Sequence, residues 1–326
     1  MLKKTTLIAT IITLSFSQLA EAHEFDSLLK ARKYVEAEKA ANARLQASPN
    51  HPDALAAKTE LILIEGKESR LDEALKLAEQ CINANPKFSE CYELHGNING
   101  LKAQRASVFT AMSYANKFKD SIRKAMELDP NNFGARFSML QFYIQAPKVV
   151  GGGKKNAEEF IADTSKTNPV AATLFQAQLD IANDNLAKAQ SIALSVNTAN
   201  IEGLNRIHRS VLTSLGHSFI NNKKYSEADK VFTDANLRYP DFPLGNFGLG
   251  KSLQEQGKQK EAIAYFEKAI AIEASAAAYF RLAKAQQSLG EKAKAISNFE
   301  KALNSQPGLP KASKSEAEEQ LKTLKS

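Results

Sequence analysis

Residues of the same kind return at a fixed step through the last third of the chain, and this periodicity restricts the fold more than any other feature. Leu215-Gly216, Leu249-Gly250 and Leu282-Ala283 recur at a near-constant step. Ala228, Ala262 and Ala295 keep that step, as do Phe232, Phe266 and Phe299, and then Ala235, Ala269 and Ala302. Pro240 and Pro307 close the first and third units, with Ala274 in the equivalent place of the second. Ala262, Phe266, Ala269 and Ile270 fall at i, i+4, i+7 and i+8, one face of a helix. Leu249, Gly250 and Leu253 mark the helix before it, and Gly257 breaks the chain between the two. Small residues let two helices approach, phenylalanine fills the space towards the next pair, and proline stops the second helix because its ring cannot continue the backbone ladder. One pair cannot bury its apolar face alone, whereas stacked pairs can, so the units imply an array.

These columns resemble the signature of the tetratricopeptide repeat, a two-helix unit of about 34 residues. The family's tryptophan column is filled here by Leu212, Asn246 and Tyr279. The resemblance is specific over residues 205–308 and looser before them. It implies an all-α fold, an α-solenoid of antiparallel helix pairs wound as a right-handed superhelix. Pro49, Pro86, Pro130 and Pro169 carry the register towards the N-terminus at wider and less even intervals. About eight units are expected in a solenoid over residues 23–308. A polar capping helix and tail follow in 309–326, where Ser313-Lys314-Ser315-Glu316 opens the helix that keeps the end soluble.

Two units depart from the norm. The one ending at Pro130 has about ten extra residues around Gly100 to Ala115, read as lengthened helices. The one ending at Pro169 carries Gln145-Ala146-Pro147-Lys148-Val149-Val150-Gly151-Gly152-Gly153 where a tight turn belongs. Insertions of this kind map to one edge of a solenoid and are often where it specialises.

The start of the chain reads as an address. Lys3 and Lys4, an uncharged run from Thr5 to Leu19, and Ala20-Glu21-Ala22 form a signal peptide over residues 1–22, cleaved before His23. No cysteine stands at the cleavage point, so the expected product is exported, periplasmic and soluble rather than a lipoprotein. In an oxidising compartment, Cys81 and Cys91 are either a disulfide or two small core residues. They flank the helix corner Asn83-Ala84-Asn85-Pro86, and spacing alone does not choose between the two. The net charge of +7 is mild and its signs are interspersed, which reads as solubility and not as a nucleic-acid footprint.

Chemistry-bearing motifs are sparse. The amides of Gly151, Gly152 and Gly153, followed by Lys154 and Lys155, could face an anion at a helix start. Lys148 and Lys155 nevertheless stand where a P-loop needs Gly and Ser or Thr, and a flexible connection is the plainer reading. His23 would join its imidazole to a terminal amine, as copper oxygenases do, but those are β-sandwiches. His51, His95, His208 and His217 show no metal-ligand spacing. There is no GxSxG, no Cys–His pair that the layout would bring together, and no CxxCH. No cofactor, metal or catalytic residue is therefore expected.

What is left is the groove. In the family this chain resembles, the first helix of each pair lines a concave surface. On those helices Thr213, Phe247 and Phe280 share one column, His217, Lys251 and Lys284 the next, and Ile220, Gln254 and Gln287 a third. An aromatic rail beside a cationic rail suits an extended or helical segment with apolar and acidic side chains. The competing reading leaves the lysines solvated and packs the aromatics between repeats. The expected function is a non-catalytic binding or scaffolding protein of the cell envelope with a protein or peptide partner. The alternative is an envelope-assembly adaptor or chaperone for exported, unfolded chains.

Overall fold

The computed structural model describes residues 25–326; the expected leader, its cleavage site and His23 lie outside them. Among the described residues every regular element is helical. A short helix, α1 (Asp26–Lys30), precedes α2 (Tyr34–Ala47), and pairs follow: α3 (Pro52–Glu65) with α4 (Leu71–Ala84), α5 (Ser89–Arg105) with α6 (Val108–Leu128), α7 (Phe133–Gln145) with α8 (Lys154–Thr167), and α9 (Pro169–Ala182) with α10 (Leu186–Ser195). The C-terminal half continues with α11 (Glu202–Asn221) and α12 (Tyr225–Arg238), α13 (Leu244–Glu255) and α14 (Gln259–Ile272), α15 (Ala276–Ser288) and α16 (Lys292–Asn304), and ends in α17 (Lys311–Lys325). The extra residues of the unit ending at Pro130 are spent on helix length, 17 residues in α5 and 21 in α6.

Local chemistry sets the boundaries. Asn132 and Asn168 cap α7 and α9, their side-chain oxygens accepting from the amides of Ala135 and Ala171 at 2.8 Å, which satisfies donors that a helix start leaves orphaned. First helices stack on first helices, α3 on α5, α5 on α7, α7 on α9, and so on to α13 on α15. The result is an α-solenoid in which the first helices form one layer.

The repeating phenylalanines are the pegs between pairs. Phe232, Phe266 and Phe299 are fully buried. Phe232 is wedged between its own first helix and the next one. A Cβ on Gly216 would lie 2.3 Å from its ring, and one on Gly248 2.2 Å, so only glycine lets the helices close over the ring. At the far end Ala317 of α17 is buried in the same cluster as Phe280 and Phe299.

Cys81 and Cys91 form a disulfide that ties the end of α4 to the start of α5, with Cα atoms 5.6 Å apart. The loop it closes is short, which by chain-entropy bookkeeping makes its contribution roughly 2–3 kcal/mol. Reduction, or the pair Cys81→Ala and Cys91→Ala, should lower the urea-unfolding free energy by about that amount. An unchanged midpoint after verified reduction would show that the corner is held without the crosslink.

The array also curls back on itself. Arg32, in the turn between α1 and α2, pairs at 2.5 Å with Glu273, which follows α14 near the other end of the chain. Its guanidinium lies 4.2 Å from the centre of the Phe242 ring, and that of Arg209 lies 3.8 Å from the same ring. The turn after α1 thus rests on the inner side of the pairs α11/α12 and α13/α14.

Candidate functional site

The expected C-terminal groove is largely occupied. Phe280 is buried at 6% exposure and packs edge-on against Phe299. Lys284 pairs with Glu316 at 2.5 Å, and Gln287 donates to Gln320 at 2.6 Å, both on α17. The capping helix lies where a further first helix would, so the columns expected to face a partner face the chain's own end. One pair earlier, Gln254 accepts from the Arg281 guanidinium and donates to the Arg281 carbonyl, each at 3.0 Å. These are ties between repeats. Lys251 sits 3.4 Å from His217 Nδ1; burial and the neighbouring Arg281 push its ammonium below the usual lysine range. Burial first, then Lys251 and Arg281, push the His217 imidazole down to about 4. Phe247 packs on Phe266. Of the eight residues, Thr213 and Phe247 do line open space, a pocket of about 310 Å³ that Arg32, Arg209 and Phe242 also line.

The glycine loop is not an anion cradle. The amides of Gly151, Gly152 and Gly153 donate to the carbonyls of Lys148, Pro147 and Tyr143 at 3.0, 3.1 and 2.7 Å, and Lys154 lies 3.7 Å from Glu158. Gly152 is required by space, since a Cβ there would meet the Ala146 carbonyl oxygen at 1.9 Å. Asn156 donates to the Gly151 carbonyl at 2.8 Å and Lys119 to that of Val150 at 3.0 Å. The loop is a braced wall rather than a slack connection.

The larger open surface lies in the N-terminal half. A cavity of about 870 Å³ is lined from α3, α5, α7 and α11, with Asp26 of α1 at its side. Glu60 and Glu93 enter it from α3 and α5, and Arg206 from α11. Burial holds the Glu93 carboxyl above the usual carboxylate range, although hydrogen bonds from Asn132 and Asn97 and the charge of Arg206 pull the other way. Glu60 is also raised, by burial first, with Arg206 opposing and Asp26 adding. Gly134 makes room for Glu93, whose carboxylate oxygen would be 2.3 Å from a Cβ there. A second cleft, of about 680 Å³, shares Asn97 and Phe137 with this cavity and is mainly apolar. It runs along the lengthened ends of α5 and α6 to Pro147, Val149 and Val150 of the glycine loop.

Sequence reasoning missed these residues while holding the register that finds them. Phe247, Lys251 and Gln254 occupy the seventh, eleventh and fourteenth positions after Pro240. Counting the same way from Pro86 gives Glu93, Asn97 and Gly100, from Pro130 Phe137 and Gln141, and from Pro49 Ala56 and Glu60. The columns are the inner-wall columns; the open stretch of wall is at the other end of the array.

Among the described residues no three or more His, Cys, Asp or Glu are grouped to hold a metal, and no helix is long and apolar enough to cross a membrane. Two family models described as tetratricopeptide repeat match residues 213–279 and 276–308. No curated protein matches the sequence. Among solved structures, yeast Tom70 superposes with a TM-score of 0.62 at 15% identity, covering 96% of this chain and 66% of that one. A tetratricopeptide repeat protein from Parabacteroides merdae gives 0.42 at 19% identity, over 93% of this chain and 96% of that one. The human IFIT1 dimer with PPP-AAAA gives 0.48 at 15%, over 84% and 63%. At such identity the Tom70 likeness is one of fold, and this chain spans about two thirds of that protein's length. Residues 213–308 are thus matched as tetratricopeptide repeats, and the helix pairs before them continue the same α-solenoid architecture.

Proposed function

We propose that the protein is a non-catalytic scaffold of the cell envelope, exported, cleaved after Ala22, and built to hold a segment of a partner protein in the channel between its first helices. The observation that carries this reading is the cavity of about 870 Å³, walled by α3, α5, α7 and α11 and continuous with a second cleft. Preformed walls on stacked helices lower the ordering cost of binding. A nucleic-acid backbone would bring phosphates against Asp26, Glu60 and Glu93, and a protein segment avoids that repulsion. The basic start, apolar run and Ala20-Glu21-Ala22 support export, and the Cys81–Cys91 disulfide is consistent with an oxidising compartment.

A photoreactive residue tests the channel directly. Placed at Phe137 in living cells, it should yield one discrete adduct, while the same group at Lys166, on the exposed side of α8, should yield none. A companion Ser210→Trp variant, which narrows the cavity from α11, should reduce the Phe137 adduct at least tenfold without a change in helicity. Equal adducts from both positions would remove the channel as the binding surface. A continuous smear of masses from Phe137 would instead identify an adaptor for unfolded chains.

A further inference from the structure

The channel's two compartments differ in chemistry, and one helix joins them. On α5, Glu93, Asn97, Leu101 and Gln104 follow at i, i+4, i+8 and i+11, one stripe that passes from the first cavity into the second. At 1.5 Å per residue, Leu101 lies about 12 Å and Gln104 about 16 Å beyond Glu93. Two carboxyls, those of Glu60 and Glu93, enter the first compartment beside the guanidinium of Arg206. Glu60 and Glu93 titrate high because their burial is not matched by positive charge. The second compartment is walled by Leu101, Met112, Phe118, Phe142, Pro147 and Val150. Met112 and Val149 leave apolar surface open there, Val149 at 79% exposure. This compartment exists because α5 and α6 are longer than the helices of the pairs on either side and because the loop after α7 is braced against them.

We propose that the bound partner segment is extended and carries a basic side chain, seated between Glu60 and Glu93, and a bulky apolar side chain four or five residues away, seated in the cleft over Leu101 and Phe118. The spacing follows from about 3.3 Å per residue of extended chain laid over an interval of about 12–16 Å. The basic group pairs with the two carboxyls that Arg206 alone faces, and the apolar group covers the surface the second compartment leaves open. This assignment rests on the reading of the channel as the partner's seat and reverses the polarity suggested by Lys251 and Lys284, which the chain itself engages.

The test is selection of a random dodecapeptide library on the purified full chain. Enriched peptides should pair Lys or Arg with Leu, Ile, Met or Phe at a separation of four or five. Exchanging the basic residue of a selected peptide for Glu, or the apolar one for Ser, should each weaken binding at least tenfold. Glu93→Gln keeps the shape and one acceptor oxygen and should erase the preference for the basic residue only. Ala111→Trp, which fills the cleft, should erase the apolar preference only. Enrichment without that pairing, or pairing insensitive to both variants, overturns the proposal. So does competition by dodecylamine at the affinity of the selected peptides, which makes the occupant an amphiphile. If the Phe137 adduct forms while selection shows no such pairing, the channel stands and its assigned chemistry falls. If the adduct fails too, both fall.

Discussion

Phe232→Ala should lower the unfolding free energy by about 3–5 kcal/mol, the range for emptying a fully buried aromatic site. Phe232 is fully buried, and its ring is gripped by Gly216 and Gly248. Neither glycine has a side chain that could swing into the void. The helices that carry them are held apart by the rest of their own contacts, including Leu215 and Leu249, so the cavity should persist. The place in the array matters as much as the size. A solenoid is stabilised by interfaces between neighbours only, and Phe232 stands at the seam between the pairs α11/α12 and α13/α14. Weakening that seam should split a single urea transition into two, with the pairs after α12 melting first. Phe299→Ala, next to the end, should lower stability without splitting the transition. Circular dichroism during urea titration reads both. A loss under about 1 kcal/mol for Phe232→Ala would show that the helices collapse onto the vacated space and that the ring is not the peg.

The parts of this molecule legible in the sequence are those set by neighbours in the chain. Helix spacing, proline stops and the small-plus-aromatic columns depend on local geometry, and a repeat displays them several times over. The orientation of the first helices was legible too, since the register counted from each proline does mark the inner wall. What could not be read is which stretch of that wall stays open. That is decided by contacts between distant elements: α17 folding over Phe280 and Lys284, and Arg32 reaching Glu273. No periodicity records a terminal helix replacing a repeat. The glycine loop illustrates the same limit. Three glycines suggest freedom, yet close packing against the Ala146 carbonyl and three hydrogen bonds donated by their own amides make the segment specific. Its role as a wall depends on α5 and α6, a whole repeat earlier, having outgrown the pairs on either side of them.

Acidification should destabilise the protein, and His217 should account for much of the loss. In the fold its imidazole is held neutral down to about 4, by burial first and then by Lys251 and Arg281. In the unfolded chain it titrates near 6.5. Between those values the unfolded state binds a proton that the folded state refuses, so stability is full above about 6.5 and falls as pH drops towards 4. Each pH unit costs about 1.4 kcal/mol, which sets a ceiling of roughly 3 kcal/mol on this group's share. His95 and His208 are lowered by burial as well and act in the same direction. The His208 ring is fully committed, its Nε2–H donating to the Ala193 carbonyl and its Nδ1 accepting from the Tyr239 hydroxyl, both at 2.8 Å. Glu60 and Glu93 act in the opposite sense. Their folded-state values are raised, so they take up protons on folding in mildly acid solution and offset part of the loss. The decisive comparison is therefore a difference between variants. His217→Asn keeps an acceptor for Lys251 and removes the titration; its urea-unfolding free energy should fall between pH 7 and pH 5 by about 2 kcal/mol less than that of the parent. Parallel curves would mean that the imidazole is protonated in the fold, which Lys251 at 3.4 Å makes costly. Glu60→Gln or Glu93→Gln should steepen the fall instead, since each removes a group that takes up a proton in the fold.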